Sequence, residues 1–179
     1  MNAATTSALT ITGQRVVLRR FDATDVTPTY LAWLNDPVVT RFSNQRFVRH
    51  DRDSCLRYLA SFQGTQNLFL AIVRQDSGAM IGTMTAYRAL PHGTADLGIM
   101  VGDRTVWGHG YGQDAWNALL EWMLRQDYVR KVTAGTLACN AAMLRLAERS
   151  GMHLEGVRRA QEIVEGEPVD MHLFARFRS

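Results

Sequence analysis

Two repeating patterns of hydrophobic and polar residues run along this chain, one typical of strands and one typical of helices. Short apolar or alternating runs predict seven strands, at residues 16–20, 68–74, 80–87, 94–102, 131–137, 153–164 and 169–177. Apolar residues at helical spacing predict four helices, at residues 26–34, 51–63, 113–126 and 140–150. Strands and helices in this order predict an α/β fold, with a mixed sheet and helices on both of its faces.

Length and composition fit a single domain. The chain has 179 residues, of which 46% are hydrophobic, and this is enough to bury a substantial core. We expect one domain over residues 14–179, preceded by a flexible arm of small and polar residues at 1–13. The arm lacks the basic start and apolar centre of a signal peptide, and no apolar run approaches the roughly 18–20 residues that span a bilayer. We therefore expect no membrane contact. The chain has only two cysteines, Cys55 and Cys139, which fits a reduced, cytoplasmic protein.

The basic residues are almost all arginine, although the formal net charge of +3 is small and Lys131 is the single lysine. Two explanations remain open: a bias in the base composition of the source genome, or arginine clusters that bind phosphate groups. No RNA-binding motif accompanies the arginines, so we expect no direct contact with nucleic acid. Histidine, cysteine and acidic residues do not recur at metal-ligand spacing, and no metal is expected.

The segment with the most specific chemistry lies between the predicted strand at 94–102 and the predicted helix at 113–126. It consists of Trp107, Gly108, His109, Gly110, Tyr111, Gly112 and Gln113, with a glycine at every second position. The glycines leave the backbone open to a ligand, and the following helix presents free N–H groups and its positive dipole end, which together bind phosphate. The segment lacks the Gly-Lys-Ser/Thr of a P-loop and the spacing of a dinucleotide fingerprint. The alternative is a tight turn in which the glycines serve only the backbone conformation.

Four segments together resemble the GNAT acetyltransferase superfamily. They are residues 95–101, the loop at 107–112, residues 131–140 and the sequence Ser150-Gly151-Met152. The resemblance extends from about residue 16 to residue 177 and is most specific in its central part. Within the superfamily the chain is most similar to the ribosomal-protein alanine acetyltransferases, the RimJ/RimL-like branch, and to related amine and amino-sugar acetyltransferases.

The resemblance implies a GNAT-like fold and acetyl-CoA as the cofactor. The fold would be a mixed, mostly antiparallel sheet of six to seven strands with about four helices, in which the fourth and fifth strands splay apart. In that family the fourth strand binds the pantetheine arm, here through the backbone of Ile99, Met100 and Val101. The loop after it holds the pyrophosphate, here through the backbone N–H groups of residues 108–113. Trp107 stands where many family members have glutamine or arginine.

For the reaction, the resemblance implies direct attack of a primary amine on acetyl-CoA in a ternary complex, with a backbone N–H near Met100 polarising the carbonyl. Asn140 is implied to contact the pantetheine arm, and its position also makes it a good N-cap for the last helix. Asp96 is the candidate general base, and a solvated carboxylate at the strand end is the alternative. Ala147 and Met143 stand where family members carry a tyrosine or serine proton donor, and we expect both to pack in the helix.

The acceptor site is expected in the variable parts of the chain, at residues 33–47, at 90–94 and in the C-terminal hairpin. Trp33, Asn35 and Arg41 are its candidate residues, because residues 33–37 resemble a segment of amino-sugar and protein N-terminal acetyltransferases. Arg41 could meet an anionic acceptor or belong to a solvated face. The acceptor class stays open between a protein N-terminus, an amino sugar and a small amine. A degenerate acyl-CoA-binding module without turnover is the alternative function, and a homodimer is common among the proteins that the chain resembles.

Overall fold

The computed structural model describes residues 9–179, which form one sheet with helices packed on both of its faces. Its eight strands are β1 (Thr10–Thr12), β2 (Val16–Arg20), β3 (Leu68–Arg74), β4 (Met80–Ala89), β5 (Thr94–Val101), β6 (Lys131–Leu137), β7 (His153–Val164) and β8 (Glu167–Phe177). Its four α-helices are α1 (Pro28–Asn35), α2 (Arg52–Ala60), α3 (Tyr111–Leu124) and α4 (Ala141–Arg149).

The strands follow the order β1-β2-β3-β4-β5-β6-β8-β7, and every neighbouring pair is antiparallel except β5 with β6. The predicted mixed, mostly antiparallel sheet with four helices is therefore confirmed, with one strand more than the six to seven expected. The additional strand corrects the prediction of a flexible arm, because Thr10–Thr12 pairs with β2 and Ile11 is only 3% exposed. Residues 1–8 of that arm lie outside the described residues.

Strand β3 shows how the sequence pattern builds a core on each side of the sheet. Leu68, Leu70 and Ile72 belong to the cluster that contains the buried face of α3. Phe69 and Ala71 alternate with them and belong to the cluster that contains residues of α1 and α2. Because successive side chains of a strand point to opposite faces, a continuous apolar run such as this one serves a sheet that is covered on both sides.

Helix α3 begins differently from the other three α-helices. Thr27, Asp51 and Asn140 each cap their helix with a side-chain oxygen that accepts a backbone N–H of the first turn. The N-cap of α3 is Gly110, which has no side chain and adopts the left-handed conformation with φ 83°. The first turn of α3 is consequently left without a capping side chain.

The two parallel strands β5 and β6 separate after a short paired stretch. They pair at three positions, of which the last joins Asp96 to Thr133. Beyond that point β5 continues beside β4 as far as Val101, whereas β6 continues beside β8. The predicted splay between these strands is thereby confirmed, and it opens a cleft in the middle of the sheet.

Candidate functional site

The cleft between the separated strands has a volume of about 260 Å³. Leu97, Gly98 and Ile99 of β5 form one wall. The opposite wall is formed by residues 135–137 of β6 together with Asn140 at the start of α4. The walls therefore combine backbone edges with apolar and polar side chains, which suits an extended ligand that carries amide groups.

The edge of β5 that faces the cleft is the part of the sheet predicted to hold such a ligand. On its other edge, Ile99, Met100 and Val101 pair with β4. Gly82 of β4 permits a close approach there, since a Cβ atom at this position would lie 2.2 Å from the Met100 carbonyl oxygen. Among residues 9–179, no strand pairs with the cleft-facing edge beyond Asp96. The backbone of β5 is thus open to a ligand that lies beside it like a further strand.

The glycine loop at residues 107–112 leads from the end of β5 to the start of α3. Trp107 fixes its beginning, because its indole Nε1–H donates to the Val101 carbonyl over 2.8 Å. Gly108 and Gly110 have φ angles of 75° and 83°, a region that favours glycine. At both positions glycine therefore permits the left-handed backbone conformation and also leaves the backbone accessible to a ligand.

The backbone N–H groups at the start of α3 point out of the helix end. The Asp114 N–H donates to the Gly110 carbonyl over 3.0 Å and begins the ladder of the helix. The N–H groups of Tyr111, Gly112 and Gln113 precede it, and no carbonyl partner is found for them within residues 9–179. Free N–H groups at a helix N-terminus form an anion-binding site.

The side chains of the loop lie on different sides of it. Tyr111 is buried, whereas His109 is exposed. Gly112 packs close to β5, since a Cβ atom on it would lie 3.3 Å from Val101 Cγ2. The side-chain amide of Gln113 points towards α4, where its Nε2 donates to the Ser150 hydroxyl over 2.7 Å. Only the backbone of Gln113 is therefore left for a ligand in the loop.

Asn140 combines two of its predicted features. Its Oδ1 accepts the Met143 N–H over 3.2 Å, which confirms the N-cap, and the residue also lines the cleft. Met143 lines the cleft beside it, and Ala147 is 1% exposed in the core. The expected packing of these two residues in α4 is confirmed, and neither offers a proton.

Asp96 lies at the point where β5 and β6 separate. The Thr133 hydroxyl donates to its carboxylate over 2.6 Å. The residue keeps part of its surface in solvent, but burial raises the pKa of this carboxyl, and the hydrogen bond from Thr133 lowers it by less. The environment therefore disfavours the charged form, as is common for carboxyl groups that exchange protons with a substrate.

The sequence analysis missed Glu162, which is the one ionisable residue in the cleft lining as far as the described part of the chain, residues 9–179, goes. Its side chain is 18% exposed and lies 3.9 Å from the guanidinium of Arg46 and 3.5 Å from the amide of Asn44. A register shift between Arg158 and Glu162, with Ala160 at φ 46°, brings the carboxylate to this position on β7. A single glutamate in an amphipathic strand carries no local signal of such a role, since the bulge and the partners are tertiary features.

The three predicted acceptor residues occupy three different environments. Trp33 packs against the end of β5, where a Cβ atom on Gly102 would lie 2.2 Å from its ring. Asn35 is engaged with backbone groups, donating to the His50 carbonyl and accepting its N–H, each over 2.9 Å. Arg41 is exposed and pairs with Glu165 at 3.0 Å, at the tip of the C-terminal hairpin. These contacts give Asn35 a structural role, and the acceptor contacts of all three residues stay predictions.

Neither a metal site nor a membrane-spanning helix is found within residues 9–179. No group of three or more histidine, cysteine, aspartate or glutamate side chains in this range has an arrangement that could hold a metal ion. None of the helices in the same range is long and apolar enough to cross a bilayer.

The family model described as the acetyltransferase (GNAT) domain matches residues 15–153 of this chain, a segment that contains the glycine loop and most of the residues that line the cleft. The chain belongs to the GNAT acetyltransferase family. A curated GNAT relative, the uncharacterised N-acetyltransferase p20 of Bacillus licheniformis, is 25% identical over 172 residues, which cover 93% of this chain and 94% of the relative. The family and the relative together establish this GNAT protein as an N-acetyltransferase.

Solved GNAT structures share the fold. A GNAT acetyltransferase from Bacillus anthracis superposes with a TM-score of 0.81 at 16% identity, covering 95% of this chain and 99% of its own. RimL, a ribosomal L7/L12 alpha-N-protein acetyltransferase in complex with coenzyme A, also gives 0.81 at 18% identity, covering 94% of this chain and 98% of its own. At these identities the likeness concerns the fold alone.

Proposed function

We propose that this GNAT enzyme transfers the acetyl group of acetyl-CoA to a primary amine while both substrates are bound. The observation that carries the proposal is that the two open backbone features of the site follow each other along the chain. The open edge of β5 runs directly into the glycine loop and the unpaired N–H groups of α3. A flexible amide-containing arm that ends in a diphosphate matches this order of features. The GNAT fold of RimL holds coenzyme A, which adds support.

In this proposal each part of the site recognises one part of the cofactor. The backbone of Ile99, Met100 and Val101 pairs with the pantetheine arm, and Asn140 contacts that arm from the opposite wall. Of the backbone N–H groups predicted at residues 108–113, those of Gly108 and residues 111–113 bind the diphosphate, whose negative charge the dipole of α3 favours. The His109 N–H donates to the Val106 carbonyl over 3.3 Å and is not available. Trp107 contributes by fixing the start of the loop through its bond to Val101.

Bound acetyl-CoA supplies a thioester whose carbonyl carbon the amine nitrogen attacks, so that a C–N bond forms and the C–S bond breaks. In this proposal a backbone N–H next to Met100, on the cleft-facing edge of β5, donates to the developing oxyanion. The predicted donor, the Met100 N–H itself, faces β4 instead, because Met100 pairs there with Thr83 and the Gly102 N–H on the same edge donates to the Ile81 carbonyl. A thiol has a pKa of about 8.5, so the sulfur leaves as a thiolate that solvent protonates. This fits the presence of Met143 and Ala147 where a proton donor would otherwise stand. Much of the acceleration comes from holding the two substrates in reacting geometry.

Two carboxylates are candidates for the base that receives the amine proton. Asp96 is favoured because its burial raises the pKa of its carboxyl. A general base works best when its pKa lies near the pH of the reaction, and the shift is in that direction. Glu162 is the second candidate, since no other ionisable residue within residues 9–179 lines the cleft. The same carboxylate would also attract the ammonium form of an incoming amine.

The acceptor proposed first is a protein N-terminus, with an amino sugar or a small amine as the alternatives. The name of RimL assigns it alpha-N-protein acetylation, and its fold is shared. The cleft lining is uncharged apart from the carboxylate of Glu162, which fits a cationic amine attached to an uncharged body.

Calorimetric titration with acetyl-CoA tests the proposal. We expect micromolar binding by the wild-type protein and none by Gly110→Asp, because an aspartate at φ 83° strains the loop and repels the diphosphate. Gly64→Asp is the matched control: its φ of 69° imposes the same backbone constraint in a turn outside the loop. Absence of binding by the wild-type protein would contradict the proposal.

An acceptor screen by thiol release follows from positive binding. Release of thiol with N-terminal peptides, amino sugars or small amines would identify the acceptor class. Binding without thiol release from any amine would instead favour the alternative, a degenerate module that binds acyl-CoA without turnover.

A further inference from the structure

The turn between β1 and β2 is clamped to the first turn of α3. The Asp114 carboxylate accepts the backbone N–H groups of Gln14, Arg15 and Val16 over 2.8, 2.7 and 3.0 Å. Gly13 makes room for this carboxylate, since a Cβ atom at that position would lie 2.7 Å from Asp114 Oδ2. The turn therefore has a fixed position relative to the start of α3, although the two segments are about a hundred residues apart.

From this turn, the Arg15 side chain reaches the glycine loop. Its Nη1 donates to the His109 carbonyl over 2.5 Å, and its guanidinium lies 3.9 Å from the centre of the Tyr111 ring. His109 stands between Gly108 and Gly110, the two residues with left-handed backbone conformations. Glycine flanks on both sides widen the range of backbone conformations open to this segment. The His109 N–H is bonded within the segment, to the Val106 carbonyl over 3.3 Å, and the bond from Arg15 adds a constraint on the carbonyl side of the same residue.

We propose that Arg15 is a positioning residue for the glycine loop. Its bond to the His109 carbonyl holds the loop in the conformation that turns the N–H groups of residues 111–113 towards a ligand. A loop that is already ordered loses less conformational entropy on binding, so the contact raises the affinity for the diphosphate without touching it. The proposal rests on the proposed function of this loop in acetyl-CoA binding.

A second arginine beside the same ring provides the matched control. The guanidinium of Arg74 lies 5.1 Å from the centre of the Tyr111 ring, on the same cavity of about 220 Å³ that Arg15 lines. The hydrogen bonds of Arg74 go to Asp76, over 2.9 and 2.6 Å, and not to the loop. The two arginines share the charge and the aromatic neighbour but differ in the contact with His109.

Calorimetry and steady-state kinetics on the full chain test the proposal, with acetyl-CoA as the ligand. We expect Arg15→Ala to raise the Kd for acetyl-CoA about tenfold, the size of effect that one charge-assisted hydrogen bond gives. The KM for acetyl-CoA rises in parallel, while kcat, the acceptor KM and the Tm stay near wild type. Arg15→Lys keeps a cationic donor and recovers part of the affinity, and Arg74→Ala binds as the wild-type protein does.

Amide hydrogen exchange on the unliganded proteins tests the same contact without acetyl-CoA. We expect the amides of residues 108–113 to exchange faster in Arg15→Ala than in Arg74→Ala or the wild-type protein. Unchanged exchange and unchanged affinity in Arg15→Ala would overturn the proposal. Equal losses of affinity in both alanine variants would also overturn it, because they would indicate direct contact of the arginine pair with a phosphate. If the wild-type protein binds no acetyl-CoA, the proposed function fails, while the exchange data still decide on Arg15.

Discussion

At the scale of single residues, the ionised carboxylate of Asp96 lowers the stability of the folded protein, and the same carboxylate is the proposed base. Burial raises the pKa of its carboxyl, so the folded protein holds this proton more tightly than the unfolded chain does. The resulting stabilisation is complete below the pKa of the unfolded state and disappears as the pH rises through the folded-state pKa. At neutral pH the ionised carboxylate therefore costs stability, and Thr133 offsets part of that cost.

We predict that Asp96→Asn stabilises the protein at neutral pH but not at a pH below the ordinary aspartate range. The amide has no charge to desolvate, so the gain in the free energy of unfolding grows with pH. Urea unfolding of both proteins at acidic and neutral pH measures it. Asp127→Asn is the control, because Asp127 is fully exposed. A gain that is the same at both pH values would contradict the prediction.

The same substitution separates the two candidate bases. If Asp96 receives the amine proton, Asp96→Asn lowers kcat/KM by about 10²- to 10⁴-fold, the usual contribution of a general base. Glu162→Gln then mainly raises the acceptor KM, because it removes the charge that attracts the ammonium group. Thiol-release assays over a range of pH with both variants distinguish the roles. A large loss of kcat in Glu162→Gln, with Asp96→Asn active, would assign the base to Glu162.

At the scale of secondary-structure elements, a polar network centred on the buried Ser150 hydroxyl connects α3 with α4. The Ser150 hydroxyl accepts the Gln113 amide N–H over 2.7 Å and lies 2.8 Å from Asn117 Oδ1. Ser150 is only 5% exposed, so removal of its hydroxyl takes away the buried member of this network, while Gln113 and Asn117 keep their bond to each other over 3.1 Å. Because α3 carries the glycine loop and α4 begins at Asn140, this network sets the distance between two parts of the site.

We predict that Ser150→Ala lowers the free energy of unfolding by about 1–2 kcal/mol and weakens acetyl-CoA binding several-fold. The reason is that the amide groups of Gln113 and Asn117 lose a buried partner and α4 shifts relative to α3. Denaturant unfolding and calorimetry measure the two effects. Ser61→Ala is the matched control, since the Ser61 hydroxyl also bonds a helix carbonyl, over 2.6 Å, but on the surface. Equal effects of both variants would rule out a specific role for the network.

At the scale of the whole molecule, the segment at residues 38–50 meets the tip of the β7–β8 hairpin beside the cleft. Arg46 Nη2 donates to the Ile163 carbonyl over 2.9 Å, and the side chain of Arg46 is 15% exposed. Arg41 forms the second link, to Glu165, but both of these side chains are more than half exposed. A half-buried guanidinium bonded to backbone contributes more than an exposed ion pair.

We therefore predict that Arg46→Ala loosens this end of the molecule and that Arg41→Ala does not. In Arg46→Ala, residues 38–50 and the hairpin tip exchange amide hydrogen faster, and the acceptor KM rises about tenfold as Glu162 loses its neighbour. Arg41→Ala changes the free energy of unfolding by less than about 0.5 kcal/mol. Hydrogen exchange, urea unfolding and thiol release measure these effects. A similar response of both variants would show that the two links are equivalent.

The sequence by itself determined the four helices, seven of the eight strands described in residues 9–179, and the glycine positions of the candidate site. The apolar run of β3 and the helical spacing in α3 are local patterns that tertiary contacts reinforce, so the layered sheet followed from them. Gly108 and Gly110 could be recognised as positions of special backbone conformation, because the left-handed region favours glycine and glycine is visible in the sequence. The N-cap role of Asn140 could be predicted in a similar way, because asparagine is one of the residue types preferred at that position.

Only the tertiary structure decided which side chains meet in and around the cleft. Strand β1 was missed because three residues are too short for a periodic pattern, and Ile11 finds its core only across the sheet. Glu162 reaches the cleft through a bulge, and Arg15 reaches His109 across 94 positions of the chain. Backbone conformation depends mainly on the types of neighbouring residues, so it can be predicted from local sequence. These contacts depend instead on how distant segments pack, and a single sequence gives no local signal of that packing.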